Sequence, residues 1–145
     1  MCMKISFNKA DRNAILANRV ALKAFLERSL KKEGITVETL EYVFCSDKFL
    51  LEINKTYLKH NFYTDIISFD LSETKGKLIG EVYISVDRVK DNAKILKISF
   101  KEELLRVIFH GALHFCGYKD KKPSDIKKMR FLEDKWVKSY QKSIS

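Results

Sequence analysis

The chain has 145 residues and a net charge of +9, and 46% of its residues are hydrophobic. These values predict one soluble domain spanning residues 1–145, and the lack of any run of about 18 apolar residues excludes a membrane span. The N-terminal segment is too polar for a secretion signal, and three scattered cysteines do not form a disulfide framework, so we expect a cytoplasmic protein.

The predicted elements follow the order β-α-β-α-β-β-α-α-α. Segments rich in β-formers predict strands at 3–8, 37–45, 65–71 and 78–85. Helical spacing of apolar residues predicts helices at 11–33, 47–58, 86–97, 99–115 and 124–140. The fold class is therefore α+β (mixed α/β), with a small four-stranded mixed sheet and helices packed on it.

Residues typical of helix ends support these boundaries. Ser46, Ser85 and Ser99 stand where the predicted helices begin, and their hydroxyls are suited to cap free backbone N–H groups. Gly34 and Gly117 follow the ends of two helices and allow the chain to turn.

The positive charge is concentrated in two terminal segments. Residues 1–33 and 119–145 each carry a net charge of +5, whereas the residues between them have a net charge of −1. Concentrated positive charge favours a polyanion such as RNA, because neutralising phosphates releases counterions. The alternative is that these lysines only solvate two terminal helices.

The residues that indicate chemistry lie in the segment 110–120. His110 and His114 are four residues apart in a predicted helix, so their imidazoles share one face. Gly117 allows the chain to turn back, which would return Asp120 toward both rings. Three protein ligands are typical of a catalytic zinc site with an open position, so we predict a metal site at the C-terminal end of this helix. The alternative is an unrelated pair of histidines and an exposed aspartate.

Neighbouring residues restrict the kind of site. Glu103 lies two helical turns before His110. Its carboxylate would either accept a hydrogen bond from an imidazole N–H or only interact favourably with the helix dipole as an exposed residue of the first turn. Gly111 stands where a zinc peptidase of the HExxH type has its glutamate base, so peptidase activity is disfavoured. A glycine inside a helix also indicates that another part of the protein packs closely against the helix there.

Cys116 is predicted to be a small buried hydrophobe rather than a ligand. His60, in a loop, is either a proton-transfer or phosphate-binding group or simply exposed.

Taken together, these residues resemble the YbeY family of bacterial endoribonucleases, which act in ribosomal RNA maturation. The family motif H-G-x-L-H-L-x-G-Y-D-H resembles HGALHFCGYKD at 110–120, and a second family block resembles INKTYLKHNFYTDIISF at 53–69. A third block matches at 80–85, and single positions match at Glu103, Met129 and Glu133. The resemblance implies a metal-dependent, single-strand-specific endoribonuclease that hydrolyses RNA phosphodiesters with a water bound to one divalent ion, most simply Zn²⁺.

Two positions depart from the family pattern. The third metal-binding histidine of the family is Asp120 here, and an anionic ligand makes a bound metal a weaker Lewis acid. Lys119 replaces a family aspartate and offsets part of that charge. The family arginine after the tyrosine is Leu58, so we hypothesise that Lys59 or His60 supplies the missing positive charge.

The leading hypothesis is an endoribonuclease of rRNA processing and ribosome quality control, with His110, His114 and Asp120 as metal ligands. Beyond the metal-bound water, the catalytic candidates are Glu103 and His60. The expected partners are rRNA precursors and ribosomal subunits, without membrane or small-molecule cofactor. The alternative is a non-catalytic ribosome-assembly factor with a structural metal. An iron oxygenase using two histidines and a carboxylate is a third possibility, disfavoured because no pair of residues for binding a 2-oxo acid is evident.

Overall fold

A computed structural model describes residues 4–145, in which four strands form one mixed sheet. The strands are β1 (Ile5–Lys9), β2 (Thr36–Cys45), β3 (Ile66–Asp70) and β4 (Lys77–Ser85), in the spatial order β1-β2-β4-β3. The pairs β1–β2 and β2–β4 are parallel, whereas β3 is antiparallel to β4. The predicted fold class, element order and mixed sheet are confirmed.

Five α-helices accompany the sheet. They are α1 (Arg19–Lys32), α2 (Asp47–Ile53), α3 (Val86–Leu96), α4 (Phe100–Phe115) and α5 (Pro123–Ile144), and a π-helical turn (Asn54–Leu58) continues α2. Within residues 4–145, no helix is both long and apolar enough to cross a membrane.

Helix α4 lies at the centre of the hydrophobic core, between the sheet and α5. Ten of its sixteen residues are buried, which exceeds the single stripe that a surface helix buries. The Tyr42 hydroxyl of β2 donates to the Ile108 carbonyl of α4 at 2.9 Å. On its other side, Phe109 packs edge-on against Trp136 and Tyr140 of α5. The position of α4 is therefore fixed from both sides, and so are the positions from which its remaining side chains project.

The helix ends predicted from these serine and glycine residues agree with the structure. The hydroxyls of Ser46, Ser85 and Ser99 each accept from the backbone N–H three residues later, at 3.1 Å in all three cases. Gly34 and Gly117 have φ angles of 87° and 93°, in the left-handed region that terminates a helix.

The prediction of a helix from residue 11 was wrong, because α1 begins only at Arg19. Asn18 has a φ angle of 57°, which an α-helix cannot continue through. Upstream, the Asp11 carboxylate accepts from the Ser46 backbone N–H at 2.8 Å and from its hydroxyl at 2.6 Å. These bonds hold the segment extended across the start of α2, and local apolar spacing gives no sign of such a distant partner.

Three other predicted elements have ends that differ from the structure by fewer residues than the start of α1 does. Strand β1 covers residues 5–9 rather than 3–8, and residue 3 lies outside the described residues. The predicted helix 47–58 is α-helical only to Ile53. The last helix runs from Pro123 to Ile144 rather than from 124 to 140, since proline is well suited to a first helical position.

Candidate metal centre

His110 and His114 project from the last two turns of α4, and the loop after Gly117 returns Asp120 to them. The Asp120 Oδ2 atom lies 3.2 Å from His110 Nε2 and 3.3 Å from His114 Nε2. One ligand atom from each of the three residues lies within 4.8 Å of the others. The structure thus brings together the three residues that the sequence predicts as ligands.

The Nδ1 atom of each imidazole already has a hydrogen-bonding partner within the protein. His110 Nδ1 lies 2.6 Å from the Glu133 carboxylate of α5, and His114 Nδ1 lies 3.0 Å from the Tyr118 carbonyl. Both partners are hydrogen-bond acceptors, so they favour the neutral tautomer in which Nδ1 carries the proton and Nε2 offers its lone pair to an ion. Such bonds fix the tautomer and the ring orientation of metal-binding histidines.

The three ligand atoms suit a divalent ion in spacing and in chemistry. A tetrahedral ion with bonds of about 2.0–2.1 Å places neighbouring ligand atoms about 3.3 Å apart. The observed separations of 3.2 and 3.3 Å match that edge length. Two neutral nitrogens and one carboxylate oxygen form a donor set that Zn²⁺ accepts, and a fourth position would remain for a non-protein ligand.

A buried charge network extends from His110 into the protein. Arg106 lies 3.1 Å from the Glu103 carboxylate and 3.3 Å from the second oxygen of Glu133. Burial raises the pKa of Glu103 to about 7, although the Arg106 charge opposes this rise. Burial of His110 is the largest single influence and opposes its protonation, but the bond to Glu133 together with the charges of Glu133, Asp65 and Asp120 outweighs burial and raises the pKa of His110. Glu133 is therefore held from one side by Arg106 and orients His110 on the other.

Two glycines allow α4 to approach the sheet closely enough to place the histidines. A Cβ atom on Gly111 would lie 3.1 Å from side-chain atoms of Ile66 and Val82, so the close packing predicted at this position is observed. A Cβ atom on Gly80 of β4 would lie 2.8 Å from the Phe115 ring. The absent side chains leave the space into which the end of α4 fits.

The three candidate ligands face an open cleft of about 580 Å³. The cleft is also lined by residues of the segment between α2 and β3, including Leu58, His60 and Phe62, and by Lys121. A smaller cavity of about 250 Å³, which His110 also lines, contains Glu103. The catalytic candidates His60 and Glu103 thus line two different cavities, and His110 lines both.

The sequence also led to predictions for Cys116 and Glu103 in this region. Cys116 is half-buried rather than fully buried as predicted; it packs against the core, and burial raises the pKa of its thiol to about 12, which fits a hydrophobic role. Glu103 pairs with Arg106, and the carboxylate that reaches an imidazole is instead Glu133. The resemblance included Glu133 without assigning it a role, because only the packing of α5 against α4 reveals its contact.

Asp65 was not predicted as a site residue, yet it lines both cavities. Burial raises the pKa of its carboxyl group. It directly precedes β3, in the matching block 53–69, and that match was the only sequence signal available for it.

The amino-acid sequence of this chain also matches those of known proteins. The family model described as "Endoribonuclease YbeY" matches residues 4–141. The chain is 47% identical to the Cytophaga hutchinsonii endoribonuclease YbeY, over 90% of this chain and 91% of that protein. It is 50% identical to the Flavobacterium psychrophilum protein of that name, over 76% of this chain and 75% of that protein.

This chain belongs to the YbeY endoribonuclease family. A Thermotoga maritima protein solved in solution has a similar fold, with a TM-score of 0.61 and 26% identity over 96% of this chain and 90% of that one. The resemblance stated from the motifs is confirmed, and the family match covers residues 4–141 of this chain.

Proposed function

We propose that this protein is a metal-dependent endoribonuclease that prefers single-stranded RNA and acts in rRNA maturation. Membership of the YbeY family supports RNA cleavage. The observation that carries the metal dependence is the pair of imidazoles whose Nδ1 atoms are both engaged, leaving both Nε2 atoms next to one Asp120 oxygen.

In this proposal His110, His114 and Asp120 hold one ion, most simply Zn²⁺. The partly exposed Asp120 closes the site from the solvent side, while the better buried His110 anchors it to the core. When bound, the ion would lower the pKa of a water molecule and polarise a phosphoryl oxygen.

The rest of the site is suited to holding an RNA strand. The cleft beside the ligands has a volume of about 580 Å³, which offers room for part of a flexible strand. Lys121 lines it, and its positive charge would attract a phosphate. Glu103 lines the smaller cavity, and burial raises its pKa to about 7, so it is our candidate for holding a proton.

We further propose that the protein works as one domain in the cytoplasm on rRNA precursors, in contact with ribosomal subunits. A single hydrophobic cluster joins residues of β1, α1 and the sheet to those of α4 and α5, which supports one folding unit. Among residues 4–145 the candidate ligand group contains three residues and no fourth. Three protein ligands beside an open cleft favour a catalytic ion over the structural ion of a non-catalytic assembly factor.

The first test combines metal removal with substitution of a ligand. We expect a chelator or His114→Ala to abolish cleavage of single-stranded RNA by a nuclease-free preparation, while circular dichroism remains native. Re-addition of Zn²⁺ should restore only the wild-type protein. Cleavage that persists under both treatments would contradict the metal-dependent mechanism, and RNA binding without any cleavage would favour the assembly factor.

Asp120 has its own test because it is the position that departs from the family. Asp120→Asn removes the anionic ligand, and we expect its affinity for Zn²⁺ to fall about 100-fold or more, since even supporting residues of metal sites contribute about 10–100-fold. Competition with a chromophoric chelator measures this affinity. Asp91→Asn, an exposed carboxylate on α3, is the matched control; equal affinities in the two variants would remove Asp120 from the ligand set.

A further inference from the structure

The cleft that the histidines line also carries a stacked pair of aromatic rings. His60 and Phe62 lie with ring centroids 5.1 Å apart and ring planes inclined by 21°. Both residues line the same cleft as His110, His114 and Asp120. Phe62 is 56% exposed although it is a large apolar residue, so one face of its ring is covered by His60 while much of the rest is open.

The loop that presents this pair is held by its backbone rather than by the two rings. The Asn54 side chain is buried and donates from Nδ2 to the Phe62 carbonyl at 2.9 Å. The His60 backbone N–H donates to the Asn54 carbonyl at 3.1 Å. Because neither bond uses the rings, their exposed position is not needed to form the loop.

The cleft also offers hydrogen-bonding and charged groups for a nucleotide. Ser68 lines it, and its Oγ atom is buried without a hydrogen-bond partner among residues 4–145. Lys121 lines it near the candidate metal ligands. A cavity of about 580 Å³ falls within the range of about 300–1,000 Å³ that is usual for small-ligand sites.

We propose that the His60–Phe62 pair is a stacking platform for one unpaired base of the RNA, next to the phosphate that is cut. A flat apolar ring accepts any base by its π-face, and a base in a duplex cannot reach it because it is already stacked and paired. The platform therefore selects single strands by shape rather than by sequence. This inference rests on the proposed function, since it assigns a substrate-positioning role at the same site.

The loop supplies a matched control, Tyr63. It is also 56% exposed and adjoins Phe62, but it does not line the cleft, and its ring instead lies against the Arg88 guanidinium at 5.5 Å. Phe62→Leu and Tyr63→Leu each remove one exposed aromatic ring and leave an apolar side chain. Only the first removes the proposed platform.

The experiment uses a short single-stranded oligouridine carrying one 2-aminopurine, whose fluorescence falls when the base stacks. Stopped-flow mixing reads binding before cleavage. We expect the wild type and Tyr63→Leu to quench the probe equally, and Phe62→Leu to lose the quenching and bind about 5-fold or more weakly. The same probe annealed to its complement should show no added quenching with any of the three proteins.

Equal quenching by all three proteins, or equal loss in both variants, would overturn the platform. Cleavage is measured separately on an unlabelled single strand. If Phe62→Leu alone loses quenching while no protein cleaves RNA, the platform stands and the nuclease assignment fails. If all three proteins cleave and quench alike, the nuclease assignment stands and the platform fails.

Discussion

Each histidine of the candidate metal centre depends on a residue that orients it. His114 is oriented by a backbone carbonyl in the loop that follows α4, whereas His110 depends on the side chain of Glu133. Glu133 is itself buried and paired with Arg106. A single carboxylate thus connects the orientation of a candidate ligand with the stability of the core.

Comparing a Glu133 variant with an Asp134 variant should separate the effect on the orientation of His110 from the effect on the stability of the core. Glu133→Ala removes the acceptor for His110 Nδ1, and we expect the affinity for Zn²⁺ to fall about 10–100-fold. The free energy of unfolding should also fall by about 1–3 kcal/mol, since Arg106 loses one of its buried partners. Chelator competition and urea denaturation measure the two quantities.

Asp134→Ala is the control for Glu133→Ala. Asp134 also lies near Arg106, at 3.7 Å, but it is half exposed. We expect a smaller loss of stability and an unchanged affinity for Zn²⁺. A similar fall of metal affinity in both variants would mean that the effect passes through Arg106 and not through the bond to His110.

At the scale of the elements, helix α4 acts as the support of the site. Its buried face packs on the sheet, its opposite side packs on α5, and its last turns carry both histidines. Gly111 lies between the two histidines in sequence and faces Ile66 and Val82 of the sheet. The distance between helix and sheet at the site is therefore set by a residue without a side chain.

Gly111→Ala tests this close packing. Alanine favours a helix by about 1 kcal/mol over glycine, but overpacking a core typically costs about 1–3 kcal/mol. We expect the steric term to prevail, so that the free energy of unfolding falls by about 1 kcal/mol in urea denaturation.

Val82→Ala provides the control, since it removes the Val82 methyl groups that the new Cβ atom would meet, while the contact with Ile66 remains. In that background we expect Gly111→Ala to cost less than in the wild-type protein, because neighbouring substitutions are not additive. The same loss in both backgrounds would exclude contact with Val82 as its cause.

At the scale of the whole molecule, the net charge of +9 is unevenly distributed. The basic segment after Gly117 begins at the candidate metal centre, with Lys121 on the edge of the cleft. Helices α1 and α5, which contain most of the basic terminal residues, contact each other. Two segments that are far apart in sequence are thus neighbours in the fold.

This arrangement predicts how salt affects RNA binding. Lys121, Lys122 and Lys127 are exposed on and beside the loop that carries Asp120. Changing all three to Gln should weaken binding of single-stranded RNA and reduce the slope of log affinity against log salt by up to about 2, since each phosphate contact contributes about 0.7. Fluorescence anisotropy at several salt concentrations measures the slope.

The control for this triple variant is the same change on α3 and at its end, at Lys90, Lys94 and Lys97. These lysines are also exposed, and the change in net charge is identical. We expect the control to leave the slope nearly unchanged. Equal slopes in the two variants would mean that RNA responds to the total charge and not to the basic segment at the cleft.

Features that depend on local chemistry could be predicted from the amino-acid sequence alone. Three serine caps, the helix stop at Gly117 and the spacing of His110 and His114 were readable because each acts over one helical turn. The mixed sheet followed from the order of the elements, and the family followed from motifs along most of the chain.

Features that depend on partners far away in the chain became visible only in the folded protein. Glu133 reaches His110 because α5 packs beside α4, and Asp11 keeps residues 11–18 out of a helix because Ser46 lies opposite it. The cleft joins α4 to the loop at Phe62, more than forty residues earlier. Periodicity records which face of an element is buried, but it carries no information on which distant side chain that face meets.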